Sequence, residues 1–365
     1  MADAPEVTIL VDQLRRRPLS GIGTYVRGLL QGLRELDGDA PPLVLGASRA
    51  PGGADPLARL GFAVRTSALP SPVMARAWVR GLEDRGPLAR WLRSAQVIHA
   101  TSLAAPYPGR PVTVTVHDVA WKEVPDTFPA RGRDWHERAF RRCVGHAAAV
   151  IVPSERTAEL VRAAAGPNLE LRVVPHGGDH LPVADTAGGR ALLAALGVRT
   201  PYLLSVSTLE PRKNLVRLVT AYGRARPSLP EPWPLVVVGP HGWGRGPAPV
   251  PGVVFAGAVA DGVLSALYAG ARCLAYVPLV EGWGLPPLEA MGACVPVVAS
   301  PMPSTSGAAL EVDPLDVEAI AAALVVAAGE DRRRSALVTA GLERFGELTW
   351  ARSARAHVEL WEGLR

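Results

Sequence analysis

The chain has 365 residues and is 48% hydrophobic, which is enough apolar material for two ordinary domains with buried cores. Its formal charge is +5, and the excess is confined to residues 1–183, which carry 23 Lys+Arg against 18 Asp+Glu; the remainder balances at 16 of each. No apolar run is long enough to span a bilayer, and there is no zinc spacing and no basic array interleaved with aromatics, which disfavours membrane spanning and nucleic-acid partners.

Along the chain, short apolar runs alternate with amphipathic ones. Residues 7–11, 43–45, 97–99, 112–116, 149–152 and 171–174 read as strands in the first half. In the second half, 202–206, 235–238, 253–256, 273–277 and 295–299 do so. Such continuous apolar runs suit parallel strands covered on both faces. Helices are expected between them, at 24–36, 133–145, 154–165, 215–226 and 260–269, with Ser154 as an N-cap. Repeated βα units predict a doubly wound α/β fold with ligands at the strand C-terminal ends. The series breaks at 177–189, rich in Gly, Pro, Asp and Thr, which reads as a linker between two Rossmann-like domains facing across a cleft. An amphipathic helix over 350–361 closes the chain.

Cys143, Cys273 and Cys294 are isolated, with no metal spacing and no even count for a disulfide framework. With no basic-then-apolar leader pattern at the start, the expectation is a cytoplasmic protein. Residues 76–142 carry 12 basic and 7 acidic side chains. That excess suits an anionic acceptor, or peripheral contact with an anionic membrane surface through the first domain. Only Lys122 and Lys213 are lysines among 39 basic residues. Where arginine would serve equally the chain uses it, so Lys213 reads as selected for a compact point charge.

Four groups carry candidate chemistry. Gly21 and Gly23 follow the first strand and open a helix, where backbone can approach a ligand closely. They do not complete a dinucleotide fingerprint, because Val26 occupies the third glycine position and no acidic residue is clearly placed for a ribose, although Asp37 and Asp39 lie near. His117 and Asp118 end the strand at 112–116. Arg212 and Lys213 follow the strand at 202–206, and adjacent cations there can neutralise a departing diphosphate. Glu281 and Glu289 bracket the turn Gly282, Trp283, Gly284, Leu285, with Pro286 and Pro287 where a helix begins. A strand, a glycine turn and a helix N-terminus can hold anionic oxygens on N–H groups, and carboxylates accept from hydroxyls. Phosphate plus polyol is what a nucleotide sugar presents.

Together, in this order and spacing, these motifs resemble the retaining GT-B glycosyltransferases of family 4 over nearly the full chain. Pro211-Arg212-Lys213-Asn214 resembles bacterial polysaccharide mannosyltransferases in particular. The resemblance implies an N-terminal acceptor-binding domain over 1–180, with a C-terminal helix at 347–365 packing back on it. A donor-binding domain would cover 181–346. It implies that Arg212 and Lys213 hold the donor diphosphate, Glu281 bonds donor-sugar hydroxyls, and the N–H groups of 282–285 cradle phosphate and sugar. Glu289 would bind the ribose, His117 would contact the donor sugar near the reacting carbon with Asp118 beside it, and Val259 would meet the base. Gly21 and Gly23 would line the cleft near phosphate and acceptor. No cofactor and no metal are implied; the donor expected by resemblance is GDP-mannose, with UDP- and dTDP-sugars open, and the acceptor a carbohydrate, glycolipid or natural product. Alternatives are a sugar-phosphate synthase with a phosphorylated sugar acceptor, and a catalytically silent GT-B binding protein. One departure is Pro303-Ser304-Thr305-Ser306-Gly307-Ala308-Ala309-Leu310, where the family often carries acidic residues; altered local packing is expected there.

Overall fold

A computed structural model describes the chain except for residues 1–5, 17, 37, 51, 53, 83–90, 93, 167–168, 245 and 365. Asp37 and part of the basic stretch at 76–142 therefore lie outside the described residues. The chain forms two compact units, one of Met1–Trp121, Pro129–Gly177 and Trp350–Arg365, the other of Lys122–Phe128 and Gly178–Thr349.

The first unit is built on seven parallel strands: β1 (Val7–Leu10), β2 (Leu43–Ala47), β3 (Ala63–Thr66), β4 (Val97–Ala100), β5 (Val112–Thr115), β6 (Ala149–Val152) and β7 (Leu171–Val173). They lie in the order β3-β2-β1-β4-β5-β6-β7. Every residue of β1, β4, β5 and β6 is buried, as β-branched runs covered by helices on both faces must be. The helices include α1 (Gly21–Glu35), α2 (Ser71–Val79), α3 (Ala130–His146) and α4 (Glu155–Ala165). The Ser154 side chain accepts from the N–H of Thr157, as its N-cap position requires. Helix α1 begins earlier than the expected 24, because the Ser20 side chain accepts from the N–H of Gly23 and caps it there.

The second unit carries a six-stranded parallel sheet: β8 (Tyr202–Val206), β9 (Leu235–Val238), β10 (Val253–Gly257), β11 (Ala271–Tyr276), β12 (Val297–Ala299) and β13 (Leu310–Glu311). Its order is β10-β9-β8-β11-β12-β13. Its helices include α5 (Thr186–Ala195), α6 (Leu215–Ala225), α7 (Asp261–Gly270), α8 (Leu285–Gly292), α9 (Val317–Gly329) and α10 (Asp331–Glu347). Two apolar clusters, one on each face of the sheet, form its core; Leu204 and Leu274 point into one, Leu203 and Cys273 into the other. The expected linker at 177–189 is shorter than the sequence suggests. Asp185 accepts from the N–H of Gly188 and starts α5 at Thr186, a local cap that overrides the low helix propensity of Gly188 and Gly189. Strands β3 and β13 were not anticipated: the first is mostly exposed and the second has two residues, so neither carries a buried apolar run.

The last helix, α11 (Trp350–Gly363), belongs to the first unit and packs along α1. Glycines make that approach: a Cβ at Gly28 would lie 2.0 Å from the Trp350 ring, and one at Gly32 2.1 Å from the Trp350 carbonyl oxygen. Among the described residues no helix is long and apolar enough to cross a membrane.

Candidate active site

In a doubly wound sheet the ligand crevice opens at the strand C-terminal ends where the order reverses. In the second unit that reversal lies between β8 and β11. Arg212 and Lys213 follow β8 and Glu281 follows β11, so the topology brings them together although 68 residues separate Lys213 from Glu281.

The turn after β8 is a short 3-10 segment, Pro211–Lys213, ending at Asn214 with φ 58°. Asparagine tolerates this left-handed conformation better than bulkier residues. Its buried amide donates to the carbonyls of Val277 (2.9 Å) and Pro314 (2.7 Å), clamping the turn to the loop after β11. The N–H of Leu279 donates to Arg212 O at 2.9 Å and ties the two loops again.

The charged groups form one network. Lys213 Nζ donates to Glu281 Oε2 at 2.5 Å, and Arg212 reaches the same oxygen at 3.3 Å. Arg212 also donates to Val280 O at 3.0 Å and pairs with Glu210 at 3.0 Å. Tyr276 donates its hydroxyl to Glu281 Oε2 at 2.8 Å and accepts from Lys213 Nζ at 2.8 Å. Burial alone would push the Glu281 carboxyl up. The charges of Lys213 and Arg212, with hydrogen bonds from Lys213 and Tyr276, outweigh it and hold the pKa at about 2. Two carboxylates and two cations balance, so an incoming anion meets cations already engaged by Glu210 and Glu281.

Gly284 precedes α8 with φ 102°, and a Cβ there would sit 2.4 Å from Met302 Sδ and 2.7 Å from Ser304 Oγ; both conformation and packing demand glycine. Pro286 and Pro287 fall in the first turn of α8 and carry no N–H. The backbone donors at the start of the helix are thereby those of Gly284 and Leu285. The Trp283 side chain is buried in the core, leaving its backbone at the turn with that of Gly282. Glu289, one turn into α8, is itself buried and held by two groups: His180 Nε2 lies 2.9 Å from Oε1, and Tyr268 donates to Oε2 at 2.7 Å. Val259, in the loop after β10, packs against the core cluster that includes Leu204 and Leu267.

In the first unit, Gly21 and Gly23 open α1 beyond β1. A Cβ at Gly23 would collide with Leu19, whereas one at Gly21 meets nothing within 4 Å, so packing does not require glycine at 21. His117 follows β5. Its Nε2 lies 3.0 Å from Thr101 O, and a carbonyl only accepts, so Nε2 carries a proton; Nδ1 lies 3.3 Å from His176 Nε2. One Asp118 oxygen accepts from the N–H of Ala120 at 3.1 Å and shapes the turn beyond β5.

A buried polar chain lies beside His117. His357 Nδ1 donates to Ser353 O (2.7 Å), so its Nε2 accepts the Tyr25 proton at 2.9 Å. Tyr25 in turn accepts from His99 Nε2 (3.0 Å), and His99 Nδ1 accepts from Thr113 (2.9 Å), whose oxygen receives Trp361 Nε1–H at 3.2 Å. Every ring in this chain is neutral, and it joins α11 to β4, β5 and α1. Burial, foremost, keeps His99 and His176 well below the usual histidine range and His357 at about 4.

Sequence reasoning did not single out Glu210, Tyr276, His180 or Tyr268. Glu210 adjoins the basic pair and could have been noticed as its counter-charge. The two tyrosines read as ordinary strand and helix core, and His180 as linker.

Two parallel α/β units with charged loops at a strand crossover define a GT-B glycosyltransferase fold, and comparison with known proteins agrees. Residues 19–180 match the family model described as Glycosyltransferase Family 4, and residues 200–329 that described as Glycosyl transferases group 1. The chain belongs to the GT-B glycosyltransferases of family 4. It is 27% identical over 270 residues to the O-antigen chain mannosyltransferase B of Escherichia coli, covering 70% of this chain and 71% of that one. It is 28% identical over 177 residues to the E. coli serotype-specific mannosyltransferase WbdA, covering 43% of this chain and 21% of that one. Among solved structures it resembles sucrose-phosphate synthase from Thermosynechococcus elongatus, with TM-score 0.74, 18% identity and 99% of both chains covered. It also resembles Anabaena HepE in complex with UDP and glucose, with TM-score 0.71, 17% identity and 99% of this chain and 100% of that one covered.

Proposed function

We propose that this glycosyltransferase moves a mannosyl residue from GDP-mannose to a hydroxyl of a saccharide or lipid-linked acceptor, with retention of anomeric configuration and without a metal ion. The observation that carries the reading is the Arg212–Lys213–Glu281 constellation at the β8/β11 crossover, beside the Gly284–Leu285 backbone donors. The mannose assignment is supported by similarity to two mannosyltransferases.

In this scheme Arg212 and Lys213 take the charge that develops on the leaving diphosphate, the term that dominates when a bond to an anionic group breaks. Glu281, ionised across the working range, accepts from donor-sugar hydroxyls and orients the ring. The leaving phosphate oxygen takes the acceptor proton on the same face as it departs, so no side chain serves as nucleophile. Glu289 accepts from the ribose hydroxyls. His117 presents a ring whose orientation is held by Thr101 and His176.

The test is thermal unfolding with GDP, UDP, ADP and dTDP, alone and as sugar conjugates. A ligand at one hundred times its Kd stabilises by about 2.7 kcal/mol. Stabilisation by GDP and GDP-mannose, followed by α-linked product from the α-linked donor, is the expected outcome. A shift with UDP or dTDP only would overturn the donor assignment, and inverted product the mechanism. Turnover confined to phosphorylated sugar acceptors would instead establish a sugar-phosphate synthase.

A further inference from the structure

Lysine and glutamate side chains are long, and each loses substantial rotamer freedom when held in one geometry. Lys213 and Glu281 also sit on two different loops. Sites carried by loops are less sharply positioned than sites carried by strands or helices. One group of the sheet itself reaches both. Tyr276 is the last residue of β11, is 3% exposed, and is paired in the ladder with Ala299 of β12. Its hydroxyl is 2.8 Å from Lys213 Nζ and 2.8 Å from Glu281 Oε2, closing a triangle whose third side is the 2.5 Å ion pair.

The direction of each bond is forced. An ammonium has no acceptor and a carboxylate no donor, so the phenol accepts from Lys213 and donates to Glu281. Burial, then the Glu281 charge, raises the phenol pKa well above its ordinary value, so the proton stays in place. Lys213 Nζ also lies 5.3 Å from the Tyr276 ring centroid, placing the ammonium near the ring. With two of its three N–H bonds fixed by Tyr276 and Glu281, Lys213 can aim the third in only one direction.

We propose that Tyr276 is a positioning residue for glycosyl transfer: a strand-borne hydroxyl that sets the direction of the free Lys213 N–H and the orientation of Glu281 toward the donor. This rests on the donor-site reading above. Tyr276 touches no substrate in this scheme and acts through its two neighbours. The groups facing the triangle are Lys213 and Arg212 from the loop after β8, Glu281 from the loop after β11, and Glu210 through Arg212.

The experiment uses Tyr276→Phe, which keeps the ring and removes one oxygen. The chain has only two lysines, so selective 15N labelling of lysine side chains gives two ammonium signals, and Lys213→Arg assigns them. In the unliganded protein the Lys213 ammonium is expected to exchange its protons slowly, and Tyr276→Phe to speed that exchange, since one of its two hydrogen-bond partners is removed. With substrates, kcat is expected to fall about 10–100-fold, the range that loss of a positioned geometry produces, with donor KM within about threefold. An unchanged Lys213 signal, or kcat equal to wild type, overturns the proposal. So does a fall in kcat matched by a fall in melting temperature with the Lys213 signal unmoved, since that is a folding defect. If the wild-type chain neither binds nor turns over nucleotide sugars, the catalytic role fails together with the donor-site reading. The ammonium exchange then still reports separately whether Tyr276 holds the lysine.

Discussion

Lys213 Nζ lies 2.5 Å from Glu281 Oε2, although the two residues arrive from loops after different strands. The contact means that the cation proposed to meet the donor diphosphate is held by the carboxylate proposed to bind the donor sugar. On the donor-site reading, the diphosphate would meet Lys213 through its third N–H, with Tyr276 and Glu281 holding the other two.

Lys213→Ala is expected to lower kcat about 100- to 1,000-fold, as removal of a donor aimed at developing charge does. Stability should fall by only about 1–3 kcal/mol, because Arg212 and Tyr276 still serve Glu281. Steady-state kinetics beside thermal melts read the two separately. Turnover near wild type would remove Lys213 from the mechanism.

Glu289→Gln keeps the shape of the side chain but removes its charge and one pair of acceptor sites. It is expected to weaken GDP binding about tenfold, the loss of one charge-assisted hydrogen bond of about 1.4 kcal/mol. The loss should be smaller for a 2′-deoxy nucleotide. Equal losses for both, measured by titration calorimetry, would move Glu289 off the ribose and leave it as the partner of His180 and Tyr268.

Glycine substitutions separate packing from ligand approach. Gly32→Ala places a Cβ against the Trp350 backbone and should cost about 1–3 kcal/mol by forcing α1 and α11 apart. Gly21→Ala meets nothing within 4 Å, and its stability should be unchanged or slightly improved. Activity lost in Gly21→Ala without a change in melting temperature would report backbone contact with a ligand.

Acid should weaken the first unit through its buried histidines. His357 is held at about 4, against 6.5 when exposed, so the unfolded chain binds the extra proton between those values. The stabilisation is complete above pH 6.5 and is lost as pH falls toward 4, by about 1.4 kcal/mol per pH unit for one such group. His99 and His176 are shifted in the same direction, and the coupled set titrates together. Denaturant midpoints from pH 7 to pH 4 should fall, and His357→Gln should flatten the slope. A flat profile in the wild type would show that the histidines titrate normally.

Much of the fold was legible in the chain. Runs such as 149–152 and 235–238 are apolar at every position because parallel strands are covered on both faces, and the alternation of such runs with amphipathic segments leads directly to doubly wound sheets. Family membership was legible for a related reason. Glycines at turns, a proline at a helix start and charges at strand ends are local demands of backbone and ligand, so they stay as short motifs. Edge strands β3 and β13 were not legible, since their pairing is set by neighbouring strands and their own side chains are largely exposed.

What only the tertiary structure decided is which groups meet. The sequence placed Arg212, Lys213, Glu281 and Glu289 at element ends. It could not show that Tyr276 joins Lys213 to Glu281, that His180 and Tyr268 hold Glu289, or that His357 completes a proton chain with Tyr25, 332 residues away. Periodicity and motif spacing report the geometry of one element at a time. A hydrogen bond between elements depends on strand order and helix packing, which are fixed only when the whole core closes.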